Sequence, residues 1–302
     1  MSVPNIRSLH DKPTPTGGGL AIIMSWYTGI TVLFLCGIME KSLYLVLLCG
    51  VILGVVSIVD DFIGLKPVIR LVFQFLTATA AFYLLGGLRP LVMPQIHFDY
   101  NFIVYPLAII GMVWFINLFN FMDGVDGFAS LQAIIICAVL FVFTWDISVM
   151  ILIICVTGFI YWNWPKAKVF MGDVGSTQLG FILVVFGIHF HNIYEFSIMN
   201  WIMLASPFWF DATLTLFRRW RNGENISEAH RKHAYQRIVL AGFSHEKVNL
   251  FLVLINLINI LFISLYRAVK VMQIPIVIIT LLFYYLITLY VDRKVPFKKG
   301  DL

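Results

Sequence analysis

The sequence predicts an all-α fold: a polytopic integral membrane helix bundle of about ten transmembrane helices with both termini cytoplasmic. Three observations predict it. Of 302 residues, 60% are hydrophobic and only 12% are charged, about half the roughly 25% charge of a soluble domain. The mean hydropathy is +0.90, so lipid is the solvent for most of the surface. The apolar residues come in runs of about 20, the length a helix needs to cross the hydrocarbon core.

Ten runs qualify, in order 20–38, 42–59, 67–86, 102–119, 127–145, 147–164, 177–190, 199–217, 248–266 and 273–291. The seventh is short, and the third carries Arg70 and Gln74. Ten spans put both termini on one side, with loops 60–66, 120–126, 165–176 and 218–247. Seventeen of the 21 Lys and Arg fall on that side, counting Arg70 at the membrane edge. Lys41, Arg89, Arg267 and Lys270 lie on the other. The positive-inside rule makes the richer side cytoplasmic. Loop 87–101 is too small for a folded domain, and loop 218–247 is expected to be partly helical. Residues 1–302 are read as a single transmembrane domain.

Some classes fall away early. The net charge of +5 comes without a basic tail interleaved with aromatics, so no nucleic acid is expected. Cys36, Cys49, Cys137 and Cys155 sit singly in apolar stretches, without CxxC or Cys/His spacing, and read as small buried hydrophobes. Met1–Thr16 is polar and lacks the apolar core of a secretory signal.

The chemistry gathers in the cytoplasmic loops. Asp60-Asp61 closes the second span. Adjacent carboxylates at a membrane boundary are costly to desolvate, which suits a metal and proton-transfer pair, although a solvated helix end would look alike. Asn117, Asn120, Asp123 and Asp126 recur every third residue, laying oxygen ligands along one face, with Gly124 and Gly127 permitting sharp turns. Capping of the next helix by Asp126 is the simpler reading of the last of these. Phe170-Met171-Gly172-Asp173-Val174-Gly175-Ser176 frames one carboxylate with glycines just before a span, as a phosphate or metal site requires; an ordinary Asp-Gly turn is the alternative. Loop 218–247 carries Arg218, Arg219, Arg221, His230, Arg231, Lys232, His233 and Arg237. Such a cluster suits a diphosphate or an anionic lipid head, and the positive-inside rule alone also accounts for it. Asp211 in the preceding span is a further buried acid. Lys12-Pro-Thr-Pro-Thr-Gly17-Gly18-Gly19 makes a turn before the first span. Hard oxygen ligands favour Mg²⁺ bound through one or two carboxylates and substrate phosphates. The combination points to phosphoryl transfer involving a substrate in the membrane.

These motifs resemble the polyprenyl-phosphate N-acetylhexosamine-1-phosphate transferases, glycosyltransferase family 4. Pro4-Asn5-x-Arg7-Ser8-x-His10 with Pro13 to Gly19, Asp60-Asp61, Asn120 to Gly127, and Phe170 to Ser176 are similar to the family's signatures, in order. The resemblance covers about residues 4–247. It implies that undecaprenyl phosphate attacks the β-phosphate of a UDP-sugar and that UMP leaves. It further implies Mg²⁺, or Mn²⁺ in its place, on Asp173 with Asn117 as companion. Asp60, with Asp61 beside it, is similar to the residue proposed to deprotonate the lipid phosphate. Asn120, Asp123 and Asp126 are similar to nucleotide-side residues, and Phe170 to the aromatic near uracil. Lys66, Asn163, Arg231 and His233 fall at polar substrate-binding positions. The implied setting is the cytoplasmic face of a bacterial inner membrane, with the bilayer as a partner and a homodimer as one admissible assembly.

Two departures stand out. Several relatives have His-x-His-His where this chain has His233-Ala234-Tyr235-Gln236. That version is similar to the O-antigen, lipopolysaccharide-building branch, which uses 6-deoxy sugars such as FucNAc or QuiNAc. Tyr235 and Gln236 are expected to pack against such a sugar. Relatives of the eleven-span type also carry a helix before Pro4-Asn5, which is not seen before Pro4 here: either ten spans suffice or the true start lies upstream. A transporter is the rival reading, although its acids would lie near mid-bilayer in broken helices. The CDP-alcohol phosphotransferases need an Ala-Arg after the first Asp-Gly, where this chain has Ala129-Ser130.

Overall fold

A computed structural model describes residues 13–93, 96–98, 101–226, 228 and 230–297; the side chains of 92, 93, 96–98 and 101 are not among those described. Pro4 to His10 of the opening motif therefore lie outside the described residues. The elements are α1 Gly18–Leu35, α2 Lys41–Leu48, α3 Gly50–Ile63, α4 Pro67–Leu84, a short antiparallel hairpin β1 Leu91–Met93 and β2 Ile96–Phe98, α5 Asn101–Phe121, α6 Phe128–Thr144, α7 Ile147–Asn163, α8 Gly172–Asn192, α9 Ile198–Leu204, α10 Ser206–Arg221, α11 Ala234–Leu240, α12 His245–Ala268 and α13 Gln273–Lys294. Among the described residues, seven helical segments are long and apolar enough to cross a membrane: α1, α2 with α3, α4, α5, α8, α12 and α13. α6 and α7 are shorter apolar helices of 17 residues each. The chain is a multi-pass membrane bundle.

The seventh span, short in the sequence, is the 21-residue α8 and the centre of the bundle, with 94% of its most apolar window buried. Gly172, Asp173 and Gly175 extend it beyond the purely apolar run. Other helices expose Leu, Ile, Val and Phe on their outer faces, as lipid-facing helices do.

The eighth span, expected as one helix over 199–217, is broken into α9 and α10 at Ala205. Pro207 has no N–H to give the carbonyl of Met203 four residues back. Asn259 Nδ2 and Ser206 Oγ donate to that carbonyl instead. The next carbonyl, Leu204, accepts from Gln132 Nε2 at 3.3 Å. Gln132 is in turn paired with Asn256, whose Nδ2 lies 2.7 Å from Gln132 Oε1. In hydrocarbon, freed backbone groups must find such partners. Loop 218–247 is partly helical as expected, through α11.

The fold gathers the ends of α3, α5 and the starts of α4, α6, α8 and α12 at one end of the bundle. Pro67 at the first position of α4 fixes a helix start there. Gly64 ends α3 in a left-handed cap at φ 64°.

Candidate active site

Asp60 sits in the last turn of α3, with its side chain 14% exposed. One carboxylate oxygen accepts from the Leu65 N–H at 2.6 Å and the other from Arg70 Nη1 at 2.8 Å. Arg70, from the first turns of α4, also reaches Asp173 of α8 at 3.4 Å. It therefore bridges the first and third acidic motifs. Asp61 and Lys66 are exposed beside this bridge, and the charges of Asp60 and Asp61 both act on Asp173.

The first turn of α8 is held by the glycine-rich turn before α1. Pro15 O accepts from the Phe170 N–H at 2.8 Å, and Phe170 O from the Gly18 N–H at 3.0 Å. Met171 O accepts from the Gly19 N–H at 2.9 Å. A Cβ on Gly19 would overlap the backbone of Gly175. Glycine at both positions thus permits the backbones to meet where Asp173 emerges. Phe170 is half-buried in this strap.

The middle motif closes the site from the α5–α6 side. Asn120 Oδ1 accepts from Ser176 Oγ at 2.8 Å. The Asp123 carboxylate accepts no hydrogen bond among the described residues. Burial raises its pKa well above the ordinary carboxylate value, and the charges of Asp173 and Asp126 raise it further. Asp126 is not the cap of α6: that position is Gly127, at φ 77°. Its carboxylate instead lies 3.1 Å from His245 Nδ1 and accepts from the Ala167 N–H at 3.1 Å.

Several expected residues are placed otherwise. Asn117 is paired with Gln74, its Nδ2 donating to Gln74 Oε1 at 2.6 Å and its Oδ1 accepting from Gln74 Nε2 at 3.3 Å. The amide expected to accompany Asp173 on a metal is thus held by Gln74. Asn163 is 3% exposed, accepting from the Gly127 N–H at 3.0 Å and donating to Val169 O at 2.9 Å. It ties two motif loops together. Tyr235 and Gln236 are 4% and 8% exposed. The Tyr235 hydroxyl donates to Phe121 O at 2.9 Å, and Gln236 Oε1 accepts from the His233 N–H at 3.3 Å. Neither side chain reaches outward to a sugar.

Four cations of the basic loop share two carboxylates. Arg219 and Lys232 converge on Glu224, with Lys232 Nζ at 2.8 Å. Arg218 and Arg237 converge on Asp292. Arg231 is half-buried, and His233 is 2% exposed with Nδ1 4.0 Å from Asp211. Asp211 accepts from the Ala234 and Tyr235 N–H groups at 2.8 and 3.4 Å, anchoring the start of α11. Burial, with the charges of Arg219 and Arg237, lowers the His233 pKa to about 3. His230, lowered first by burial and then by His233 and Arg219, also falls to about 3.

The arrangement is therefore an acidic recess at one end of the bundle, built from Asp60, Asp61, Asp123 and Asp173, with Arg70 set between carboxylates. Reading the sequence took Arg70 for an edge charge and passed over Gln74 and His245. Its signal was a lone cation ten residues after Asp60 in an otherwise apolar span. His245, at the start of α12, carries no such signal.

The sequence pattern of glycosyl transferase family 4 matches residues 43–191, which hold all the elements of the recess. The chain is 31% identical over 237 residues to the phospho-N-acetylmuramoyl-pentapeptide-transferase of Streptococcus pneumoniae (strain Hungary19A-6), covering 68% of this chain and 71% of that protein. This chain belongs to glycosyl transferase family 4. It is also 29% identical over 272 residues to the probable undecaprenyl-phosphate N-acetylglucosaminyl 1-phosphate transferase of Bacillus subtilis (strain 168), covering 84% of this chain and 74% of that protein. The decaprenyl-phosphate N-acetylglucosaminephosphotransferase of Mycobacterium leprae (strain TN) is 28% identical over 303 residues, covering 84% of this chain and 73% of its own length. The family members in this set thus share sugar-phosphate transfer and, in two names, a polyprenyl phosphate.

Proposed function

We propose that this protein transfers an N-acetylhexosamine 1-phosphate from a UDP-sugar to undecaprenyl phosphate, releasing UMP, at the cytoplasmic face of a bacterial inner membrane. The observation that carries the reading is the Asp60–Arg70–Asp173 bridge, which joins two acidic motifs at one end of the bundle. A transporter would place its acids along a path through the bilayer, whereas these acids gather at one end.

An apolar groove of about 390 Å³ between α3 and α4 is lined by Val55, Val56, Val59, Leu65, Ile69 and Phe73, sequence neighbours of Asp60 and Arg70. It suits the polyprenyl chain, leaving the phosphate near Arg70. A lipid phosphate is largely ionised at neutral pH, with a second pKa of about 6, so attack on the donor needs alignment and charge neutralisation more than a base. Both oxygens of Asp60 accept hydrogen bonds, one of them from Arg70, so Asp60 also holds Arg70 in place. Asp61 is exposed beside it. The lipid phosphate oxygen bonds to the β-phosphorus, the bond from that phosphorus to the bridging oxygen breaks, and UMP carries the electron pair away. Asp123 and Asn120 face the nucleotide side, with Phe170 near the base. Asp126 fixes loop 165–170 behind them.

The donor set fits Mg²⁺ in part. Asp173 is 40% exposed, Arg70 bridges it to Asp60, the charges of Asp60 and Asp61 act on it, and its own acts on Asp123. No group of three or more ligating side chains is assembled among the described residues, which agrees with an ion held by one or two carboxylates and substrate phosphates. Asp173 would hold it, with Asp61 or Asp123; Asn117 would not. When bound, the ion supplies charge neutralisation on the diphosphate.

The lipid-linked sugar would begin a surface polysaccharide, an O-antigen by the resemblance of the 233–236 segment. The 6-deoxy preference has lost its proposed contacts, since Tyr235 and Gln236 are buried. The test is UMP release by the purified protein in lipid, offered UDP-GlcNAc, UDP-FucNAc and undecaprenyl phosphate. Release that needs both lipid and donor supports the reading. Release independent of lipid phosphate, or none with either donor, would overturn it. Turnover of FucNAc alone would restore the 6-deoxy preference.

A further inference from the structure

We propose that Asp292 is a positioning residue for the donor side of the site, acting through Arg237, α11 and Tyr235 on the 120–127 loop. It lies in the last turn of α13, about a hundred residues beyond the family-matched segment. The inference rests on the transferase reading above.

Asp292 accepts from Arg237 Nη2 at 2.8 Å and lies 3.0 Å from Arg218 Nη1. Arg237 is 1% exposed and donates from Nη1 to Val295 O at 2.7 Å. The Phe297 ring lies 5.4 Å from both guanidinium carbons and 5.7 Å from Lys232 Nζ. The end of α13 is thus plugged into the segment that carries α11. Removing one partner of a buried ion pair leaves an uncompensated charge, which the structure must move to relieve.

α11 has seven residues, too few to be stable by itself. Asp211 holds its start through two backbone N–H groups, and Asp292 holds its far turn through Arg237. Between these anchors Tyr235 reaches the donor side. Its hydroxyl bonds the carbonyl of Phe121, the last residue of α5, at 2.9 Å. Its ring stacks on Phe128, the first residue of α6, at 4.8 Å and 13°. Tyr235 therefore braces both ends of the loop that carries Asp123 and Asp126. A Cβ at Gly124 would also meet the Tyr235 hydroxyl. A shift of α11 is passed to Asp123 through these contacts, although Asp292 bonds no residue of the recess.

The experiment compares full-length wild-type protein in nanodiscs with Asp292→Asn, Asp292→Glu, Tyr235→Phe and the Asp292→Asn/Tyr235→Phe pair. UMP release and amide hydrogen exchange are both read. Asp292→Asn should raise the KM for the UDP-sugar about tenfold, as expected for a lost charge-assisted bond. It should leave the KM for undecaprenyl phosphate unchanged and kcat within about threefold. Asp292→Glu should recover most of the loss, and the double variant should be no worse than the more damaging single variant. Exchange should speed up across 121–127 and 234–240. An unchanged donor KM, or an equal fall in kcat for every substrate with unchanged exchange at 121–127, would overturn the proposal. Should wild-type protein release no UMP, the transferase reading fails, and the exchange comparison decides the brace alone: faster exchange at 121–127 keeps it and unchanged exchange removes it. Should Asp292→Asn not fold, Phe297→Ala, which keeps the carboxylate, is measured in the same way.

Discussion

Arg70 stands between Asp60 at 2.8 Å and Asp173 at 3.4 Å, and this sets what each acid can do. Asp60 is held on both oxygens, whereas Asp173 is more exposed and has one long contact. Asp173→Asn should therefore lower UMP release at least a hundredfold, the scale of removing one electrostatic group from such a site, and abolish any dependence on Mg²⁺ while the protein stays folded. Activity close to wild type would remove Asp173 from the reaction. Asp60→Asn should lower turnover more than UDP-sugar affinity, because it frees Arg70 rather than the donor; a selective loss of donor affinity would place Asp60 on the nucleotide side. The buried histidines give a pH signature. His230 and His233 stay neutral down to about 3 in the folded protein, against an ordinary value of 6.5. The unfolded chain takes up both protons as the pH falls below 6.5 and the folded chain does not. Their stabilising contribution is complete above pH 6.5 and is lost progressively toward pH 3. The unfolding temperature in detergent should fall between pH 7.5 and 5, and His233→Asn should flatten that fall.

At the scale of elements, the site depends on close approaches that glycine permits. The start of α1 lies against the start of α8 at Gly19 and Gly175, where a Cβ would overlap backbone rather than a flexible side chain. Gly19→Ala should therefore cost about 1–3 kcal/mol and displace Asp173, lowering activity as well as the unfolding temperature. An active, fully stable Gly19→Ala protein would show that the strap does not position α8. Much of this level was legible in advance: Asp60-Asp61, the 120–127 repeat and the Gly-framed Asp173 do lie at one end of the bundle. The break at Ala205 was not. A hydropathy average over 199–217 registers lipid exposure but not backbone bonding, and Pro207, which was visible, matters through the Met203 carbonyl that Asn259 satisfies from α12. Asn163 and Asn117 were legible as polar site neighbours, but their loop and helix partners were not, for a related reason. A polar residue near a site can serve the loops as readily as the ligand, and sequence spacing cannot tell which.

Across the whole molecule, the central α8 delivers Asp173 to one end while its apolar length anchors the bundle. The chain's charges are sorted to the same purpose: carboxylates line the recess, and four cations of 218–237 share the carboxylates of Glu224 and Asp292. Composition could foresee a basic loop but not its tie to α13, because Asp292 and Phe297 lie some 55 to 80 residues away along the chain. The central claim is that a phosphoryl group, and not a bare sugar, passes to a membrane lipid. The most direct measurement supplies UDP-N-acetylhexosamine labelled at the β-phosphorus to the purified protein with undecaprenyl phosphate and Mg²⁺. The label should move into the lipid phase in step with UMP release, and Asp173→Asn should stop both. Label that remains in water as UDP, with the sugar transferred or hydrolysed, would contradict the account.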